Sequence, residues 1–219
     1  MNLPTLNASV TSSGVLDANS AVGVYFTLSK VLVVFSFLGL AARGGQVFAW
    51  DTNVLHFLHG REEAAEGSLA DRAAANIVEV GGTTATFFVA LTSLVVLLIK
   101  RRARDACFVI ATSVAILTLT PLFKDYFERS DLKYSFPSGN SGRSAAVIAA
   151  AVFIAWPTRF RWPALVIGSA LTATVGVALV YENWHLPSDV VGGWCLGIAC
   201  ATVLRYGVGR SPHARSSTA

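Results

Sequence analysis

Six stretches of this chain, at about residues 24–42, 80–99, 106–123, 144–157, 163–182 and 188–205, are dominated by apolar side chains and separated by short polar connections. A helix needs roughly 20 such residues to cross the hydrocarbon core of a bilayer. There every backbone N–H and C=O must be bonded within the protein, so runs of this length fold as helices. The pattern predicts an all-α integral membrane bundle of six transmembrane helices. The composition agrees, at 53% hydrophobic and 14% charged over 219 residues with a mean hydropathy of +0.56. That is too little polar surface for a soluble domain. The first span is the least regular, because Lys30 interrupts it and Arg43 closes it. Lys30 is expected to snorkel to the interface.

A net charge of +4 and a pI near 9.2 would suit a nucleic-acid binder only if the basic residues shared one polar face. They sit between apolar runs instead, so membrane lipids are the expected surroundings and nucleic acid is not an expected partner. Cys107, Cys195 and Cys200 all fall inside apolar segments. Their odd number argues against a disulfide framework. With no C-x-x-C or Cys/His cluster in the sequence, no metal or other cofactor is expected.

Residues 1–20 read as a polar lead, with no basic region ahead of an apolar core. Residues 21–207 read as the membrane domain and 208–219 as a disordered cytoplasmic tail. Between the first two spans, residues 51–76 read as an interfacial helical connection with apolar positions at Val54, Leu55, Leu58 and Leu69. His56 and His59 fall on its surface.

Orientation follows from the basic loops. Lys100, Arg101, Arg102 and Arg104 fill one short loop and Arg159 and Arg161 another, while Arg205, Arg210 and Arg215 follow the last span. With six spans these regions share one side, which is then cytoplasmic along with both termini, in a plasma-membrane protein. Lys124, Arg129, Lys133 and Arg143 fall on the outer side, against the usual trend, and an anionic ligand is the simplest reason for them to be there.

Three pieces of sequence meet on that outer side: Lys124-Asp-Tyr-Phe-Glu-Arg129 ending the third span, Phe136-Pro-Ser-Gly-Asn-Ser141 opening the fourth, and Trp184-His-Leu-Pro-Ser-Asp189 joining the fifth to the sixth. Lys124 and Arg129 offer fixed positive charge and N–H donors to phosphate oxygens, or serve as interfacial anchors. Ser138 and Gly139 stand where a helix begins, so free backbone N–H groups and the helix dipole face an anion there. His185 is a candidate nucleophile, and Asp189, four residues on, can hold its other ring nitrogen. Arg143 and Lys133 either guide substrate or are simply solvated.

From about residue 50 to 205 the chain resembles the type 2 phosphatidic acid phosphatase (PAP2) superfamily, the membrane lipid-phosphate phosphatases. The order Lys-x4-Arg, Phe-Pro-Ser-Gly, Trp-His-x3-Asp-x2-Gly-Gly is similar to a shortened, actinobacterial-like variant of the family pattern. The resemblance implies a six-helix fold and a phosphohistidine formed on His185, with Asp189 orienting the imidazole. Phosphate would be bound by Lys124, Arg129, Ser138 and Gly139, without a metal. Three departures stand out. Asn140 replaces the histidine that acts as general acid in the family. Asp131-Leu132 replaces Arg-Pro. Leu179 stands where an arginine precedes the histidine by six residues.

Asparagine cannot transfer a proton at neutral pH, and losing a positioned acid costs about 10²–10⁴ in rate. A basic alkoxide leaving group suffers more from that loss than a phosphate leaving group. The expected substrate is therefore a lipid phosphate, with a polyprenyl diphosphate favoured over phosphatidate. A lipid-phosphate-binding protein without turnover and a lipid phosphotransferase are the alternatives. A soluble vanadium haloperoxidase, which shares the superfamily's site, is excluded by the hydropathy.

Overall fold

The structure is a computed structural model that describes residues 18–59, 69–80, 83–128 and 134–209. Eight helices carry them: α1 (Ala18–Arg43), α2 (Ala49–His59), α3 (Leu69–Val80), α4 (Thr83–Ile99), α5 (Ala103–Tyr126), α6 (Gly139–Ala155), α7 (Arg161–Tyr181) and α8 (Pro187–Gly209). No strand occurs among the described residues. The polar lead, up to residue 17, and the tail from residue 210 lie outside them, as do Arg129, Asp131, Leu132 and Lys133.

Four helices, at Gly23–Arg43, Ala103–Tyr126, Arg161–Tyr181 and Pro187–Tyr206, are long and apolar enough to cross a membrane. Two further apolar helices, Thr86–Ile99 and Gly139–Ala155, lie where the other two spans are expected but are shorter than the four. Their outer surfaces are apolar, with Phe26, Val33, Phe37, Phe87, Val166 and Ile167 all about 60% exposed or more. Apolar patches of that kind belong against lipid. Trp156 and Trp162, whose rings lie 6.2 Å apart at the α6–α7 turn, mark one interface. Trp50, Tyr126 and Trp184 are exposed at the other end, as interfacial aromatics are.

Helices α6 and α8 form the centre, and glycine sets their spacing. A Cβ on Gly193 would sit 2.1 Å from Ser141 Oγ and 2.5 Å from the Ser138 carbonyl oxygen, and one on Gly197 would lie 2.4 Å from the Gly142 carbonyl oxygen. Gly193 and Gly197 thus make a small-xxx-small seam along α8, which lets two backbones touch where lipid offers no hydrophobic drive for association. Gly193→Ala is expected to lower the thermal unfolding temperature in detergent and to cost about 1–3 kcal/mol, because the clash is with backbone and a buried hydroxyl rather than a flexible chain end.

A second set of contacts fixes the loop ahead of α6. Phe136 packs on Phe35 of α1 at 5.5 Å and on Phe127 at 5.5 Å. Its ring also covers Gly192, where a Cβ would lie 2.2 Å from it. The interfacial connection is two helices rather than one. Its buried face is made by Leu55, Leu58, Ala74, Ile77 and Val78 packed against α7, while Val54 and Leu69 point outward. The small alanine at 74 matters more than the larger Leu69, because α3 lies close along α7. The Tyr181 hydroxyl donates to Asp71 Oδ1 at 2.7 Å and ties the two together.

Candidate active site

The site forms at the end of the bundle where α5 stops and α6 and α8 begin. Helix α8 starts at Pro187, whose missing N–H costs nothing at a first helical position. Asp189, two residues on, reaches back to accept the Leu186 N–H at 3.1 Å through Oδ2, as in a capping box. The same oxygen lies 3.8 Å from His185 Nδ1. That is longer than a hydrogen bond, but it puts Nδ1 on the carboxylate side and leaves Nε2 as the nitrogen that can face a substrate. Nδ1 is buried and makes no hydrogen bond among the described residues. Asp189 is itself fully buried.

Ser138 is the N-cap residue of α6, with extended backbone (φ −65°, ψ 120°) and no side-chain capping bond. Its N–H donates to the Asp189 carbonyl oxygen at 2.9 Å, which stitches the start of α6 to the start of α8. Ser141 reinforces the stitch, its hydroxyl lying 3.1 Å from both the Ser138 and the Val190 carbonyl oxygens. Ser138 Oγ is fully buried with no hydrogen-bond partner among the described residues. The uncapped first turn of α6, the serine hydroxyl and the dipole together make a place suited to an anion.

Lys124, in the last turn of α5, is half-buried and lies within electrostatic reach of both Asp189 and Arg143. Arg143 folds back along α6. Its Nη1 is 3.0 Å from where a Cβ on Gly139 would stand, and its Nη2 donates to Asn140 Oδ1. Of the residues that the sequence singles out, Lys124, Ser138, Gly139, Asn140, His185 and Asp189 are therefore gathered at one end, while Arg129 lies outside the described residues. Arg143, left undecided by the sequence, joins them. Its spacing of three from Asn140 already put the two on one helical face.

Asp51, in the first turn of α2, is a further member. It is fully buried, and it accepts the Ser188 N–H at 2.8 Å, the Ser188 hydroxyl at 3.0 Å and the Phe48 N–H at 3.1 Å. It holds the loop that carries His185 from the side of the interfacial helices. No local motif announces it. An apolar cleft of about 390 Å³ opens between α3, α4, α6 and α7, lined by Ile77, Val89, Ile148, Leu171 and Val175 and touching Ser144, one helical turn along α6 from Asn140.

Residues 115–212 match the family model of the PAP2 superfamily. Among solved structures the fold is similar to that of the first transmembrane PAP2-type phosphatidylglycerolphosphate phosphatase, from Bacillus subtilis, with a TM-score of 0.69 at 18% identity. The match covers 85% of this chain and 99% of that one. No curated protein sequence matches the chain. The protein is thus an all-α membrane bundle similar in fold to that transmembrane PAP2-type phosphatase, and its residues 115–212 match the PAP2 superfamily model.

Proposed function

We propose that this protein is a lipid-phosphate phosphatase working through a phosphohistidine, with its site at the extracytoplasmic face of the plasma membrane and both termini in the cytoplasm. The observation that carries the reading is the meeting of a histidine–aspartate pair, a lysine and an uncapped helix start at one end of an apolar bundle. In this reading Lys124, Arg129, Ser138 and the Gly139 backbone hold the phosphate. His185 Nε2 attacks phosphorus in line while the bond to the leaving oxygen breaks. Asp189 stabilises the positive charge that builds on the imidazole. Water then attacks the phosphohistidine, the N–P bond breaks, and phosphate leaves with the ring neutral again. Fixed positive charge aimed at the developing negative oxygens supplies most of the barrier reduction, and the scheme draws that charge from side chains rather than from a metal.

The lipid character of the substrate is supported by the apolar cleft beside Ser144, which suits an acyl or prenyl chain whose headgroup sits among Lys124, Ser138 and His185. Asn140 supports a diphosphate, since its carboxamide can donate a hydrogen bond to a leaving phosphate but has no proton to hand to an alkoxide. The orientation is supported by the arginines at the opposite end, Arg102, Arg159, Arg161 and Arg205, under the positive-inside rule.

The test uses ³²P-labelled polyprenyl diphosphate and phosphatidate, with chelator, in detergent. The expected result is an acid-labile, base-stable phosphoprotein and faster phosphate release from the diphosphate. Tight vanadate binding with no label and no release from either lipid would favour a headgroup-binding protein instead, the reading that Asn140 makes the leading alternative.

A further inference from the structure

We propose that Arg143 is a phosphate-binding residue, delivering from α6 the positive charge that the PAP2 pattern would place at position 179. The inference rests on the phosphatase reading, because it names a further ligand of the same phosphate.

Position 179 is closed to that role. Leu179 is fully buried in the cluster that joins α3 to α7, among Ala74, Val78, Val175 and Ala178. An arginine there would have to push through apolar packing to reach the site. Arg143 already lies in the site, across the first turn of α6 with its guanidinium against Gly139.

Helix stability does not explain that placement. A cation drawn toward a helix N-terminus opposes the dipole, whose positive end lies there. Lys124 adds a second cation within electrostatic reach. The side chain is only partly exposed, and its Nε is buried without a hydrogen-bond partner among the described residues. A buried charge is normally paired or bound, yet among the described residues no carboxylate pairs with Arg143. The nearby Asp189 is engaged with the Leu186 N–H and faces His185.

Two cations, an uncapped helix start and the orphaned Ser138 hydroxyl thus point to one place, and a phosphate there satisfies all of them. Arginine offers five donors in a planar fork. One is given to Asn140 Oδ1, which leaves others for phosphate oxygens. The same bond occupies the Asn140 oxygen and leaves its amide N–H₂ to face away from Arg143.

Vanadate binding to the purified full chain in detergent tests this without depending on turnover, read as the ligand-induced rise in unfolding temperature and as a dissociation constant. Arg143→Gln is expected to weaken vanadate binding by about 10- to 100-fold, the factor for losing hydrogen bonds from a charged donor. Without ligand it should unfold no lower than the parent, since a cation opposing the dipole has been removed. Arg143→Lys, which keeps the charge and loses the fork, should bind with intermediate affinity. Arg159→Gln, at the opposite end of the bundle, should bind as the parent does. If Arg143→Gln and Arg143→Lys both bind vanadate like the parent while Lys124→Gln does not, Arg143 is no phosphate ligand and the phosphatase reading stands. If the parent chain itself binds no vanadate, the phosphate site and this assignment fall together.

Discussion

Asn140→His is expected to raise phosphate release from phosphatidate by about 10²–10⁴-fold, and to raise release from a polyprenyl diphosphate by much less. Asn140 is the second residue of α6, half-buried between Gly139 and the Arg143 guanidinium, on the turn that meets the phosphate in the proposed reaction. An imidazolium at that position can hand a proton to the departing oxygen. An alkoxide leaving from a monoester needs that proton, whereas a phosphate leaving from a diphosphate is a weak base and needs it little. Initial rates on both lipids decide the matter. Equal proportional gains would remove the argument for a diphosphate substrate, and no gain on either would mean that the leaving oxygen does not depart toward residue 140.

The second large effect concerns His185. His185→Ala should bring turnover of both the parent and Asn140→His down by about 10⁴–10⁶-fold, the range for removing a member of a nucleophilic triad, and should leave no labelled phosphoprotein. Its unfolding temperature should hardly move, because Nδ1 makes no hydrogen bond among the described residues and the side chain belongs to none of the buried clusters. Asp189→Ala differs on that point. It strips the acceptor from the Leu186 N–H at a fully buried helix start, and leaving such a donor unsatisfied costs about 1–3 kcal/mol. Activity and thermal scans on the two variants therefore separate chemistry from architecture. A His185→Ala protein that still forms labelled protein would remove the histidine from the mechanism.

Much of this was legible in the sequence because membrane folding leaves few options. The expected spans at 106–123, 163–182 and 188–205 lie within α5, α7 and the start and body of α8 to within a residue or two, since an apolar run in lipid has only the helix open to it. Lys124, Ser138, Gly139, Asn140, His185 and Asp189 fall at or beside helix ends, where polar groups are tolerated. Asp51 was not legible. It lies in a polar segment where an acid is unremarked, and its partner Ser188 is 137 residues away, beyond any periodicity. The face of α3 was misread because Leu69 outweighs Ala74 in hydropathy, while close packing against α7 selects the smaller side chain. Arg143 was ambiguous because only the fold of its side chain over Gly139 tells a solvated arginine from one turned inward.

The bond between Asp51 and Ser188 bears on how such a protein can be inherited or rebuilt. The stretch matching the superfamily begins at residue 115, yet the turn that presents His185 leans on a carboxylate from α2, far upstream. The matched stretch is therefore not a cassette. Grafted elsewhere without α2, it would leave a buried N–H and a buried hydroxyl with no acceptor one turn from His185. A fusion, duplication or shortening of this gene keeps a working turn only when α2, or another carboxylate delivered to the same spot, travels with it.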